Sequence, residues 1–155
     1  MRCVVQRSGP ARVTVEDRVT GEIPRGLVVL AAFAPGDGSA EMSWMARKLV
    51  KLRIFNDAEG KMNLSLADVG GGILLVSQFT LYGDARKGAR PSFIGSAPPG
   101  EAQALYAEFG RILRAEWPDV AEGEFGASMA VSLVNEGPVT LVLDREAPAG
   151  RGADG

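Results

Sequence analysis

The sequence predicts an α+β domain, a mainly antiparallel, barrel-like β-sheet with two helices. Three observations lead there. Short stretches alternate apolar and polar residues, as half-buried strands do. Two longer stretches repeat their apolar residues at helical spacing instead. The helical stretches stand in separate places along the chain, without the regular strand–helix alternation of a parallel sheet. The 155 residues suit a single domain, assigned to residues 1–144, with a tail over 145–155.

The elements follow in order. "MRCVVQR", "ARVTVE" and "VTGEIP" carry strand signals, with Asp17-Arg18 as a hairpin turn. "GLVVLAAFA" reads as a buried strand. "PGDGS" is a loop able to cap a helix over Ala40 to Leu52, where Met42, Met45, Ala46, Leu49 and Val50 form an apolar face. Arg47, Lys48 and Lys51 lie opposite. "RIFNDAEGKMNLSL" reads as two short extended pieces around a turn. "DVGGG" reads as a plain turn, because a dinucleotide fingerprint needs its glycines after a strand and before a helix. "GGILLVSQFTLYGD" is the strongest strand signal. "ARKGARPSFIGSAPPG" is a basic loop, and a second helix spans about Glu101 to Trp117, started by Pro98-Pro99-Gly100. Strands return over about Glu124 to Leu133 and Val139 to Asp144. The Gly/Ala-rich tail "REAPAGRGADG" reads as disordered.

Composition narrows the chemistry. There is no histidine and one cysteine, Cys3. Imidazole-based triads, imidazole proton shuttles and thiolate zinc sites within one chain are therefore excluded. No cofactor or metal is expected. Cys3 reads as a small core residue. The longest apolar run is too short to cross a bilayer, and the N-terminus lacks the pattern of a signal peptide. A cytoplasmic location is expected, with no membrane partner. The net charge of −2 leaves room for a local basic patch.

Two stretches stand out. In "VSQFTLYGD", Ser77, Gln78 and Thr80 bring hydrogen-bonding side chains to the end of an apolar strand. They mark either a strand emerging into solvent or the rim of a site lined by hydroxyls and free backbone N–H groups. Strand alternation would put Ser77 and Phe79 on one face and Gln78 and Thr80 on the other. In "SLVNEGPVTLVLD", Gly137-Pro138 interrupts a good strand pattern, although proline has no N–H for the ladder.

The stretches "VVQR", "VTVEDRVTGEI", "RIFNDAEGKMNLSL", "LLVSQFTL", "RPSF" and "SLVNEGPVT", in this order, resemble the D-aminoacyl-tRNA deacylases, also called D-tyrosyl-tRNA deacylases. The resemblance covers about Met1 to Asp144. It implies hydrolysis of the ester of D-aminoacyl-tRNA, a proofreading step of translation, by a homodimer. It implies a cis Gly137-Pro138 bond that reaches into the partner's pocket. There its two carbonyls exclude an L side chain, while glycine, with nothing to exclude, also enters. Arg7 matches the arginine that holds this segment. Ser77 and Gln78 match residues lining the reacting ester, and the backbone N–H groups of Phe79 and Thr80 are expected to steady the oxyanion. With no histidine base, the 2′-hydroxyl of the terminal adenosine is expected to assist water. Thr80 as a covalent nucleophile is the rival mechanism. Arg86, Lys87 and Arg90 are candidate tRNA contacts, as are Arg47, Lys48 and Lys51.

Two rivals remain at this level. A relative that edits L-alanyl-tRNA carries Pro-Gln-Ala-Thr where this chain has Ser77, Gln78, Phe79 and Thr80. A non-catalytic RNA-binding barrel would carry stacking aromatics beside its basic groups; only Tyr82 and Phe93 stand near the basic loop. Glu136, just before the glycine, sits beside the filter. The tail has no counterpart in the resemblance.

Overall fold

The computed structural model describes residues 1–149. Strand β1 (Arg2–Val15) is the spine. It pairs antiparallel with β3 (Gly26–Ala32) through its first half and with β2 (Arg18–Ile23) through its second. Its other edge pairs antiparallel with β8 (Ala130–Asp144). Strand β3 then pairs parallel with β6 (Gly72–Ser77), and β6 pairs parallel with β7 (Val120–Glu122). The sheet is therefore mixed, not uniformly antiparallel; β4 (Phe55–Asn56) and β5 (Met62–Leu64) form a separate antiparallel hairpin. Strands β2 and β7 stand at its two ends, yet a Cβ on Gly21 of β2 would lie 2.4 Å from the Glu122 carbonyl of β7. The ends meet, and the sheet curls into a nearly closed barrel.

Both faces of β3 and β6 are covered, which explains their unbroken apolar runs. Leu27, Val29, Ile73 and Leu75 pack against α1 (Ser39–Lys51) and α3 (Pro99–Glu116). Val28, Leu74 and Val76 pack inside the barrel with Ala11, Val13 and Ile23. Cys3 is fully buried in the helix-side core, where burial pushes its thiol up to about 12. Both predicted helices form, displaced by one or two residues. The PGDGS loop does lead into α1: the Gly38 N–H donates to Glu41 at 3.0 Å.

Several expectations need correction. "DVGGG" is more than a turn. Ser65 opens a one-turn helix, α2 (Leu66–Val69), whose N-cap exchanges hydrogen bonds with Asp68. Strand β6 stops at Ser77, because its partner β3 ends; the Gln78 N–H makes the last bond to Ala31. A single 310 turn, Phe79–Tyr82, follows. Ser77 to Thr80 thus do not alternate across a strand. The strand predicted from Glu124 starts only at Ala130, after a turn closed by the Ala127 N–H on the Glu124 carbonyl. Arg145, the first tail residue, is tied down: its N–H donates to the Met1 carbonyl, and its guanidinium lies 5.2 Å from the Trp44 ring. The tail expectation for residues 150–155 lies outside the described residues.

Candidate active site

Strand β6 delivers Ser77 to the edge of the barrel, and the 310 turn swings Phe79 outward, 55% exposed. The N–H groups at the start of any helical turn have no partner within it. Here those of Phe79 and Thr80 donate to no acceptor among the described residues, whereas those of Gln78, Leu81 and Gly83 are all bonded. Two neutral donors therefore stand free beside a cleft. The cleft measures about 410 Å³ and is walled by Ser77, Phe79, Phe93, Pro98, Ala102 and Phe125, with a second lobe of about 280 Å³ reaching Gln78 and Met129. Phe79 and Phe93 meet edge to face at its mouth, 5.2 Å apart.

The Thr80 hydroxyl accepts from the Gln78 side-chain amide. An amide cannot take a proton, so nothing here activates Thr80 as a nucleophile.

Around Gly137-Pro138 the ladder between β1 and β8 jumps from Ser8–Asn135 to Gln6–Thr140, so Glu136 to Val139 bulge out. The Gly137-Pro138 bond is cis. Side chains brace the bulge from beneath. The Arg7 guanidinium donates to the Glu136 carbonyl at 2.7 Å, the Ile54 carbonyl at 2.8 Å and Asn56 at 3.0 Å. The side-chain Oδ1 of Asn135 accepts from the Val139 N–H at 2.8 Å. Gly137 has φ +143, and a Cβ there would meet Val139 at 2.8 Å and the Arg7 guanidinium at 3.1 Å, so the position has no room for a side chain.

The predicted site residues do not all converge. Ser77 pairs with Ala31 and so aligns with Cys3 on β1, whereas the bulge lies beside Arg7. Within one chain the bulge is roughly 13 Å along the strands and 14 Å across them from the cleft.

The basic candidates also separate. Arg86 is clamped on Asp84 by two hydrogen bonds of 2.9 and 2.6 Å, which hold the Asp84 carboxyl below its usual range. Lys87 and Arg90 make no salt bridge among the described residues and border a groove of about 860 Å³. On α1, Lys48 lies over the Trp44 ring at 5.3 Å; neither it nor Arg47 nor Lys51 borders the cleft. Sequence reasoning missed Phe125, Pro98, Ala102 and Met129 as walls of the cleft. They come from two segments far apart in sequence, the start of α3 and the loop before β8, and only the flanking glycines of "GEFG" hinted that Phe125 was placed deliberately. It also missed Asn135, whose clamp depends on a bulge no pattern displays.

Fold and cleft together define an α+β barrel whose site is made of backbone donors, amides, hydroxyls and apolar walls. The chain belongs to the D-Tyr-tRNA(Tyr) deacylase family, whose model matches residues 4–144. It is 56% identical over 144 residues to the D-aminoacyl-tRNA deacylase of Desulfatibacillum aliphaticivorans, covering 93% of this chain and 99% of that one. It is 54% identical, over the same shares, to the D-aminoacyl-tRNA deacylase of Deinococcus radiodurans. Among solved structures it resembles one named c-Myc DNA Unwinding Element Binding Protein, with a TM-score of 0.89 and 39% identity, covering 95% of this chain and all of that one. Among the described residues no helix is long and apolar enough to cross a membrane.

Proposed function

We propose that this protein hydrolyses the ester of D-aminoacyl-tRNA in the cytoplasm, freeing tRNA and the D-amino acid. The observation that carries the reading is the pair of unpartnered N–H groups, Phe79 and Thr80, at the mouth of an apolar cleft. The terminal adenosine of tRNA enters the cleft between Phe79, Phe93 and Phe125. The ester carbonyl lies against the two N–H groups, with Ser77 and Gln78 beside it. Water attacks the carbonyl carbon, and the carbonyl oxygen takes up negative charge while accepting from the Phe79 and Thr80 N–H groups. The bond to the 3′-oxygen then breaks. The proton released by water passes through the neighbouring 2′-hydroxyl to that oxygen, leaving a free ribose diol and a carboxylic acid. Position and backbone electrostatics supply the rate enhancement, and no imidazole is needed.

Chirality is read by a second subunit. The bulge at Gly137-Pro138 is too far from the cleft of its own chain, so in a homodimer it reaches the partner's. Its carbonyls exclude an L side chain, admit a D side chain that points away, and have nothing to exclude on glycine. Two features support the pairing of chains. Strand β8 offers a 15-residue outer edge with no strand beside it among the described residues, and such edges are normally covered. Val134 and Val142 on it are 55% and 62% exposed.

The test is hydrolysis of D-tyrosyl-tRNA and L-tyrosyl-tRNA under matched conditions with a metal chelator present. Loss of the D ester with the L ester spared is the expected result, and glycyl-tRNA is expected to be hydrolysed as well. Binding of tRNA without turnover of either ester would replace this reading with that of a binding module. Selective loss of L-alanyl-tRNA would mark an L-alanine editor.

A further inference from the structure

The 310 turn has a second side. Opposite the cleft, Arg2, Tyr82, Arg86, Lys87, Arg90 and Ile94 border the groove of about 860 Å³. One stretch of chain, residues 92–97, is the wall between the two spaces. It is stiffened by reciprocal bonds between Asp84 and Ser92 of 2.8 and 2.9 Å and by the Ala97 N–H on the Phe33 carbonyl at 2.8 Å. Phe93, Ser96 and Ala97 face the cleft, while Ser92, Ile94 and Gly95 face the groove.

We propose that this groove seats the single-stranded nucleotides that precede the terminal adenosine of an RNA 3′ end. The inference rests on the reading that the cleft takes that adenosine. A strand whose last nucleoside lies in the cleft crosses the wall into the groove within a nucleotide or two, because the two spaces share it. Groove chemistry suits such a guest. Single strands are held by cations along the phosphates and by flat or apolar platforms under the bases. The cations are Lys87 and Arg90, which lack carboxylate partners among the described residues. Arg86 and Arg2 have a different task. Arg86 is spent on Asp84 and braces the loop. Arg2 is fixed by Asp144 at 2.7 Å and by the Leu81 carbonyl at 3.0 Å, and it lies 5.1 Å from the Tyr82 ring. This stack and Ile94, 90% exposed, form the platform.

The experiment is equilibrium binding of a labelled, uncharged oligoribonucleotide ending in CCA, measured over a series of salt concentrations. Adenosine alone and a blunt RNA hairpin without the single-stranded end serve as comparisons. In the double variant Lys87→Ala/Arg90→Ala, affinity for the CCA-ended strand is expected to fall about tenfold or more. The slope of log affinity against log salt is expected to drop by roughly 0.7 for each phosphate that the variant no longer neutralises. Adenosine is expected to bind within about twofold of the wild type. Wild-type affinity and salt slope in the variant would overturn the proposal. So would an equal loss for the blunt hairpin, which would move the basic pair to the duplex stem. Because the readout is binding, a failure to hydrolyse any D ester would count against the deacylase reading alone.

Discussion

At the residue scale, Arg7 is the side chain on which the shape of the bulge depends most. Its three hydrogen bonds tie the bulge to Ile54 and to the short strand β4 that follows it. A hydrogen bond from a charged group contributes about 1.5–3 kcal/mol. Arg7→Ala is therefore expected to lower discrimination between D and L esters by about tenfold or more, and Arg7→Lys to restore little, since a lysine cannot fork between carbonyls. Unchanged discrimination would detach Arg7 from the filter. Thr80 makes the opposite prediction. Its hydroxyl rests on an amide and only its N–H is needed, so Thr80→Ala is expected to keep activity within about tenfold. Complete loss in a folded variant that still binds tRNA would revive the nucleophile. The sequence marked both residues, and it also showed what was missing: without histidine, no catalytic base of ordinary pKa near 6.5 exists. What it could not show was that Gln78 sits on Thr80 or that Arg86 is consumed by Asp84. Both are matters of side-chain geometry, invisible to residue type.

At the scale of elements, the strand and helix patterns were legible because both core faces imprint a period on the chain. The failures lie where a local bond overrides the period. Phe79 to Tyr82 look like strand, yet β3 ends at Ala32 and leaves no partner to pair with. Three glycines after α2 look like a loop, yet Gly70 ends α2 at φ +60 and a Cβ on Gly72 would lie 2.9 Å from Ile23 and Asp119; the facing strand is as tight. Gly26 has φ +147, and a Cβ there would lie 1.9 Å from the Gly72 carbonyl. Gly26→Ala is expected to lower the melting temperature by roughly 5 °C or more, at a cost above about 2 kcal/mol; a smaller effect would mean that β3 and β6 separate easily. The α2 cap offers a pH test. Hydrogen bonds from the Ser65 backbone and hydroxyl lower the Asp68 pKa in the folded state. Such a group stabilises the fold above its unfolded pKa, near 3.9, and the contribution is lost as pH falls through the folded value. Asp68→Asn is thus expected to melt below the wild type at pH 7 and together with it once the pH has fallen below the folded value. A gap that persists in acid would assign the effect to something other than the charge.

At the scale of the molecule, the sequence pointed to a barrel and to a broken strand, and the bulge at Glu136 to Val139 explains the break as a projection held from beneath. One chain alone leaves that projection far from the cleft, so the site is read as shared between two chains. Two variants, each damaged in one half, test that claim most directly. Ala102→Phe fills a cleft whose wall Ala102 forms, and leaves the bulge intact. Arg7→Ala loosens the bulge and leaves the cleft intact. Mixed dimers contain a site made from the sound cleft of one chain and the sound bulge of the other. The measurement is the ratio of D-tyrosyl-tRNA to L-tyrosyl-tRNA hydrolysis by the Arg7→Ala protein, before and after subunit exchange with excess Ala102→Phe protein. Exchange is expected to restore the wild-type preference for the D ester. A ratio that exchange leaves unchanged would contradict a filter supplied across subunits.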